Sequence, residues 1–128
     1  MAVTGLNHIN FRGPRSLLDA MRDFYCDVVG LTEGPRPPFA GFGYWLYAGD
    51  LAVVHLYQAE PDEARNLGSP ATTFDHIAFA CDEAAEVETR LAALGVAHRV
   101  TSVPATGVKQ IFLTDPAGNR LELQFAAG

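Results

Sequence analysis

The chain has 128 residues, 48% hydrophobic and 19% charged, with 9 Lys and Arg against 15 Asp and Glu, a net charge of −6. This size and composition imply one globular domain whose core needs no disulfide or structural metal, and they exclude a disordered chain. The acidic balance argues against nucleic acid or an anionic membrane as partner, and no apolar run reaches the roughly 18 residues of a membrane span.

In chain order, Leu6-Asn7-His8-Ile9-Asn10-Phe11 alternates and predicts a strand. The stretch SLLDAMRDFYCDVVG (16–30) has helical apolar spacing, with Ser16 as its N-cap and Gly30 just past its end. Extended runs follow near Thr32, from Gly43 to Tyr47 and from Leu51 to Tyr57, the last two separated by Ala48-Gly49-Asp50. Between them GPRPPFAGFG (34–43) is a Pro/Gly loop whose aromatics also suit a lid. Residues 59–72, polar and broken by proline, read as a linker. The second half then repeats the plan. Phe74-Asp75-His76-Ile77-Ala78-Phe79 is a strand, and Asp82 caps the helix EAAEVETRLAAL, which Gly95 ends. Strands are expected near 98–103, from Val108 to Leu113 and from Arg120 to Phe125, with the turn Asp115-Pro116-Ala117-Gly118-Asn119 before the last. The expected fold is α+β, two tandem βαβββ modules at 1–58 and 73–128.

The opening MAVTGLNHINFRG has no basic stretch leading into an apolar one, so no signal peptide is expected. Cys26 and Cys81 lie in apolar segments at no metal-type spacing and read as buried thiols of a cytoplasmic protein.

The repeat lets the histidines be compared by position. His8 and His76 occupy the same place in their opening strands, and His55 and Glu122 correspond in the closing strands. Side chains alternate along a strand, so His8, Asn10 and Arg12 share a face opposite Ile9 and Phe11. Val53, His55 and Tyr57 lie opposite Ala52, Val54 and Leu56, while Arg120, Glu122 and Gln124 lie opposite Leu121, Leu123 and Phe125. If the two sheets curl toward one another, three imidazoles and one carboxylate converge as an N3O set suited to a divalent transition metal. A strand histidine is more often a hydrogen-bonded residue than a ligand; the matched positions single these three out. Asn10, Arg12, Tyr57 and Gln124 would line the same cleft, with Arg12 able to meet an anionic substrate group. His98 has no counterpart in the first half and reads as solvated or as a pocket wall, and Trp45, Tyr44 and Phe112 read as core or pocket lining.

The segments LNHINF, DFYCDVVGL, FDHIAF and FLTDPAGNRLEL resemble the vicinal oxygen chelate superfamily over nearly the whole chain. That superfamily includes glyoxalase I, extradiol dioxygenases, fosfomycin-resistance enzymes, methylmalonyl-CoA epimerase and bleomycin-binding proteins. The resemblance implies a single domain whose paired modules form a cupped, incomplete barrel around a metal, and a homodimer with sites shared between subunits. Glyoxalase I carries His, Glu, His and Glu at the ligand positions; here His8, His55, His76 and Glu122 stand there, so His55 departs from the pattern. Arg12 sits where glyoxalase I has an arginine that contacts the glutathione carboxylate, and Phe112 matches its closing segment. Extradiol and fosfomycin enzymes have a tyrosine where this chain has Phe112. The implied activity is that of a glyoxalase-like lyase or isomerase on a small, vicinally oxygenated substrate, acting through an enolate. It would depend on a divalent metal (Ni, Zn, Fe, Mn or Co), with Glu122 as base and His55 as ligand or general base. The alternatives are a ring-cleaving extradiol-type dioxygenase, built on His8, His76 and Glu122, and a metal-free drug- or metabolite-binding protein of the bleomycin-resistance type.

Overall fold

The computed structural model describes residues 2, 5–63 and 74–126. Its contacts divide the chain into two compact units, Met1–Ala64 and Arg65–Gly128. Of the expected linker, residues 59–63 are described and 64–72 lie outside the described residues.

The first unit runs β1 (Ile9–Gly13), α1 (Arg15–Phe24), a π-helical segment (Tyr25–Val29), β2 (Thr32–Gly34), β3 (Gly43–Ala48) and β4 (Leu51–Gln58). The second runs β5 (Ile77–Cys81), α2 (Ala84–Ala93), β6 (Arg99–Ser102), β7 (Lys109–Thr114) and β8 (Arg120–Phe125). Each unit has a four-stranded sheet with its first strand parallel to its last, in the orders β1-β4-β3-β2 and β5-β8-β7-β6. The fold is therefore α+β, two βαβββ modules of one topology, as the sequence repeat implies. Among the described residues no helix is long and apolar enough to cross a membrane.

Helix α1 turns Leu18 and Met21 inward, and Tyr25 and Val28 of the π-helical segment join them. Leu46, Val54 and Leu56 complete the buried apolar set from β3 and β4. In the second unit Val87 and Leu91 of α2 are buried, as are Ile111, Leu113, Leu121, Leu123 and Phe125 of β7 and β8. Each sheet thus commits one face to apolar burial and leaves the other for polar side chains.

Several boundaries differ from the expectation. The β1–β4 ladder starts at Ile9 opposite Val54, so residues 6–8 precede the strand. Ser16 is not the N-cap of α1: Pro14 takes that place, its carbonyl accepting from the Leu18 N–H at 3.0 Å, and its ring holds the entry φ. Glu83, and not Asp82, caps α2, with a left-handed φ of 57°. Gly30 does end the first helical stretch, in the left-handed region at φ 100° where a side chain would be strained. Cys26 and Cys81 are free thiols, half-buried, with burial raising both above the ordinary thiol range.

The turn before β8 is organised by one buried carboxylate. Asp115 Oδ1 accepts from the N–H groups of Ala117 and Asn119 at 2.9 and 2.8 Å, and Oδ2 accepts from Asn119 Nδ2 at 2.9 Å. This side-chain-to-backbone bonding is what the Asp-Pro-Ala-Gly-Asn composition supplies.

Candidate functional site

In the first unit β4 lies between β1 and β3, with Asn10 and Trp45 opposite His55 on its two sides. The row Asn10–His55–Trp45 crosses the face opposite buried Val54 and Leu56. It forms part of a cavity of about 570 Å³ that His8, Arg12, Tyr57 and Phe39 also line. Phe39 comes from the Pro/Gly loop, so that loop does supply a wall. One register shift alters the expected lining. The pairing passes from Leu46↔Val54 to Tyr47↔Ala52, which makes Val53 an extra residue in β4. Such a bulge reverses the alternation beyond it, so Ala52, and not Val53, lines the cavity beside Tyr47.

Three rings stack in this cavity. His8 lies against His55 with ring centres 3.9 Å apart and 11° from parallel, and Trp45 lies against His55 at 4.0 Å and 12°. His55 is only 8% exposed. Its Nε2–H donates to the Ala52 carbonyl at 3.0 Å, so a neutral imidazole carries its lone pair on Nδ1. Burial, followed by the neighbouring His8, lowers the His55 pKa against the opposing pull of the Ala52 bond. His8 donates Nδ1–H to Asn7 Oδ1 at 2.8 Å and therefore carries its lone pair on Nε2. Arg12 sits with its guanidinium 4.8 Å from the centre of the Tyr57 ring. Its Nε and Nη2 donate to Glu63 Oε2 and Oε1 at 2.7 and 2.6 Å.

The second unit repeats the register. Ala78 and Phe112 stand opposite Glu122 across β5, β8 and β7, as Asn10 and Trp45 stand opposite His55. His76 precedes β5 as His8 precedes β1. It donates Nδ1–H to Asp75 Oδ2 at 2.6 Å, and its Nε2 lies 3.2 Å from Glu122 Oε1. The bond from His76, with Arg120 nearby, holds the Asp75 carboxyl below the usual carboxylate range. Glu122 is 4% exposed. Its Oε2 accepts from Gln124 Nε2 at 3.0 Å and Gln110 Nε2 at 3.4 Å. Phe112 meets His76 edge-on, with ring centres 6.0 Å apart, and the guanidinium groups of Arg99 and Arg120 each lie 5.0 Å from its centre.

The expected residues therefore fall into two groups. His8, Asn10, Arg12, His55 and Tyr57 line one cavity, and His76, Glu122, Phe112 and Gln124 form one cluster in the second unit. Within neither unit do three or more described His, Cys, Asp or Glu residues form a group able to hold a metal. The donor chemistry of the His76–Glu122 pair nevertheless suits a cation. A neutral His76 that donates from Nδ1 turns its Nε2 lone pair on a carboxylate oxygen, and two such electron-rich atoms need a proton or a cation between them. Gln124, expected against substrate, donates to Glu122 Oε2. His98 donates Nδ1–H to the Val96 carbonyl at 2.8 Å.

Sequence reasoning missed Asn7, Asp75, Gln110 and Glu63. Asn7 and Asp75 were findable, because each is the polar residue immediately before a matched histidine. Gln110 required the β7 register, and Glu63 pairs with a residue far away along the chain.

The model of the Glyoxalase/Bleomycin resistance protein/Dioxygenase superfamily matches residues 5–123. A protein of Arabidopsis thaliana named Glyoxylase I 4 is 29% identical over 124 residues, covering 94% of this chain and 70% of that protein. Among solved structures, a putative glyoxalase family protein from Bacillus anthracis has a TM-score of 0.72 at 22% identity, over 98% of each chain. Lactoylglutathione lyase from Agrobacterium tumefaciens has a TM-score of 0.68 at 22% identity, over 98% of this chain and 96% of that one. At such identities these structures speak for the fold alone, and the sequence family extends over nearly all of it. The chain belongs to the glyoxalase/bleomycin resistance protein/dioxygenase superfamily.

Proposed function

We propose that the protein is a glyoxalase-type lyase or isomerase acting on a small molecule with two neighbouring oxygens, with a divalent metal as cofactor and Glu122 as base. The observation that carries this reading is the contact of buried Glu122 with His76, whose other nitrogen is committed to Asp75. The names of the Arabidopsis relative and the Agrobacterium neighbour support the same class. Phe112, in place of a phenol, weighs against ring cleavage.

His8, His55, His76 and Glu122 would hold the ion, an N3O set open to Ni, Zn, Fe, Mn or Co. When bound, such an ion supplies Lewis-acid polarisation of the substrate oxygens. Asn7 and Asp75 hold their histidines in the tautomer that offers Nε2. Glu122 accepts two amide N–H bonds on Oε2, which leaves Oε1 as the oxygen that takes a proton from the substrate carbon and returns it to the neighbouring one. His55, clamped between two rings, serves better as a fixed donor than as a second proton carrier. Aromatic side chains line the cavity, and Asn10, with the Nη1 side of Arg12 that Glu63 does not occupy, would orient the substrate's polar groups. The reading includes a homodimer with shared sites.

Elemental analysis of protein purified without chelator, run with an assay for loss of methylglyoxal–thiol hemithioacetal, tests the proposal. About one metal per chain together with metal-dependent loss of the hemithioacetal is expected. Metal-free protein, or oxygen uptake with catechols in place of hemithioacetal loss, would overturn it.

A further inference from the structure

Arg12 lines the cavity of the first unit, yet its recognition edge is occupied. The Nε and Nη2 donors form the side of a guanidinium that accepts a planar carboxylate in parallel, and Glu63 fills both at 2.7 and 2.6 Å. Glu63 is held for this task by a local turn. Its N–H donates to the Glu60 carbonyl at 3.0 Å, and its Oε1 also accepts from the Glu60 N–H at 3.4 Å. Both partners remain partly open to solvent, at 42% and 29% side-chain exposure, so the pair adds little to stability. Its consequence lies in the cavity, where it occupies the arginine edge best suited to a carboxylate.

We propose that Glu63 is a specificity residue that satisfies Arg12 from within the chain and so turns the cavity against carboxylate ligands. A carboxylate entering beside Trp45 and Tyr57 must displace Glu63 to use the Nε–Nη2 edge of Arg12, whereas a neutral ligand of the same shape does not meet that cost. The inference stands on the cavity of the first unit and not on the enzymatic reading, and a binding readout keeps the two apart.

Trp45 is the sole tryptophan of the chain and lines the cavity, so its fluorescence reports occupancy directly. Benzoate and benzamide, planar rings that differ in charge, are titrated into the wild type, Glu63→Gln and the double variant Glu63→Gln/Arg12→Gln. Glu63→Gln is expected to bind benzoate about tenfold or more tightly than the wild type, with benzamide unchanged. The gain should vanish in the double variant. Benzoate affinity that is unchanged or undetectable in Glu63→Gln overturns the proposal, as does a gain that survives loss of Arg12 or extends equally to benzamide.

Discussion

The imidazoles of His8 and His55 lie face to face, 3.9 Å between ring centres and 11° from parallel. Trp45 covers the other face of His55, so this residue is a structural member of the cavity as well as a candidate donor. His55→Ala would leave a gap between two rings and is expected to cost about 2–4 kcal/mol in denaturant unfolding. His55→Phe keeps the stack and should stay within about 1 kcal/mol of the wild type, while still removing a nitrogen donor. A loss of metal in His55→Phe without a loss of stability would separate the two roles.

Glu83 opens α2 from a left-handed conformation, beside Asp82 and Glu86. The carboxyl of Glu86 raises the Glu83 pKa, so folding favours its protonated form. The sign follows from linkage: stability attributable to this group is highest below its unfolded pKa and falls as pH rises through the raised folded value. Glu83→Gly relieves both the backbone and the repulsion. We expect thermal melting to rise by a few degrees at neutral pH, with a smaller gain in acid below the ordinary carboxylate range.

Asp115 accepts three hydrogen bonds in the turn that delivers β8, and it is buried. Asp115→Ala leaves those donors without their acceptor and should destabilise the protein by about 2–4 kcal/mol. A lower denaturation midpoint with an unchanged denaturant slope is the expected signature. Asp115→Asn, which keeps an acceptor oxygen, should recover part of the loss.

Gln110 and Gln124 both donate to Glu122 Oε2. If they position the base, Gln124→Leu and Gln110→Leu should each lower kcat about tenfold and leave KM nearly unchanged. A rise in KM at constant kcat would instead assign Gln124 the substrate-contact role its strand face suggests.

The repeat was readable because topology and register both recur. His8 and His76 precede parallel ladders that begin at Ile9↔Val54 and Ile77↔Leu121, and the residues one step on pair with His55 and Glu122. Alternation alone therefore placed Asn10, His55 and Tyr57 on one face, and Glu122 and Gln124 on another. It failed at Ala52, because a bulge at Val53 is a pairing event that no local pattern announces. Ser16 and Asp82 look like caps by composition, but Pro14 and Glu83 hold those places through backbone geometry. The Arg12–Glu63 fork joins residues far apart in sequence, beyond the reach of strand or helix periodicity.

The central claim, that Glu122 carries the proton in a metal-dependent isomerisation, is tested most directly by hemithioacetal turnover of Glu122→Gln against the wild type, with metal content measured on both. Turnover should fall by a factor of at least about 10² in Glu122→Gln, including in samples brought to the same metal content as the wild type. Wild-type turnover in a metal-loaded Glu122→Gln protein would contradict it.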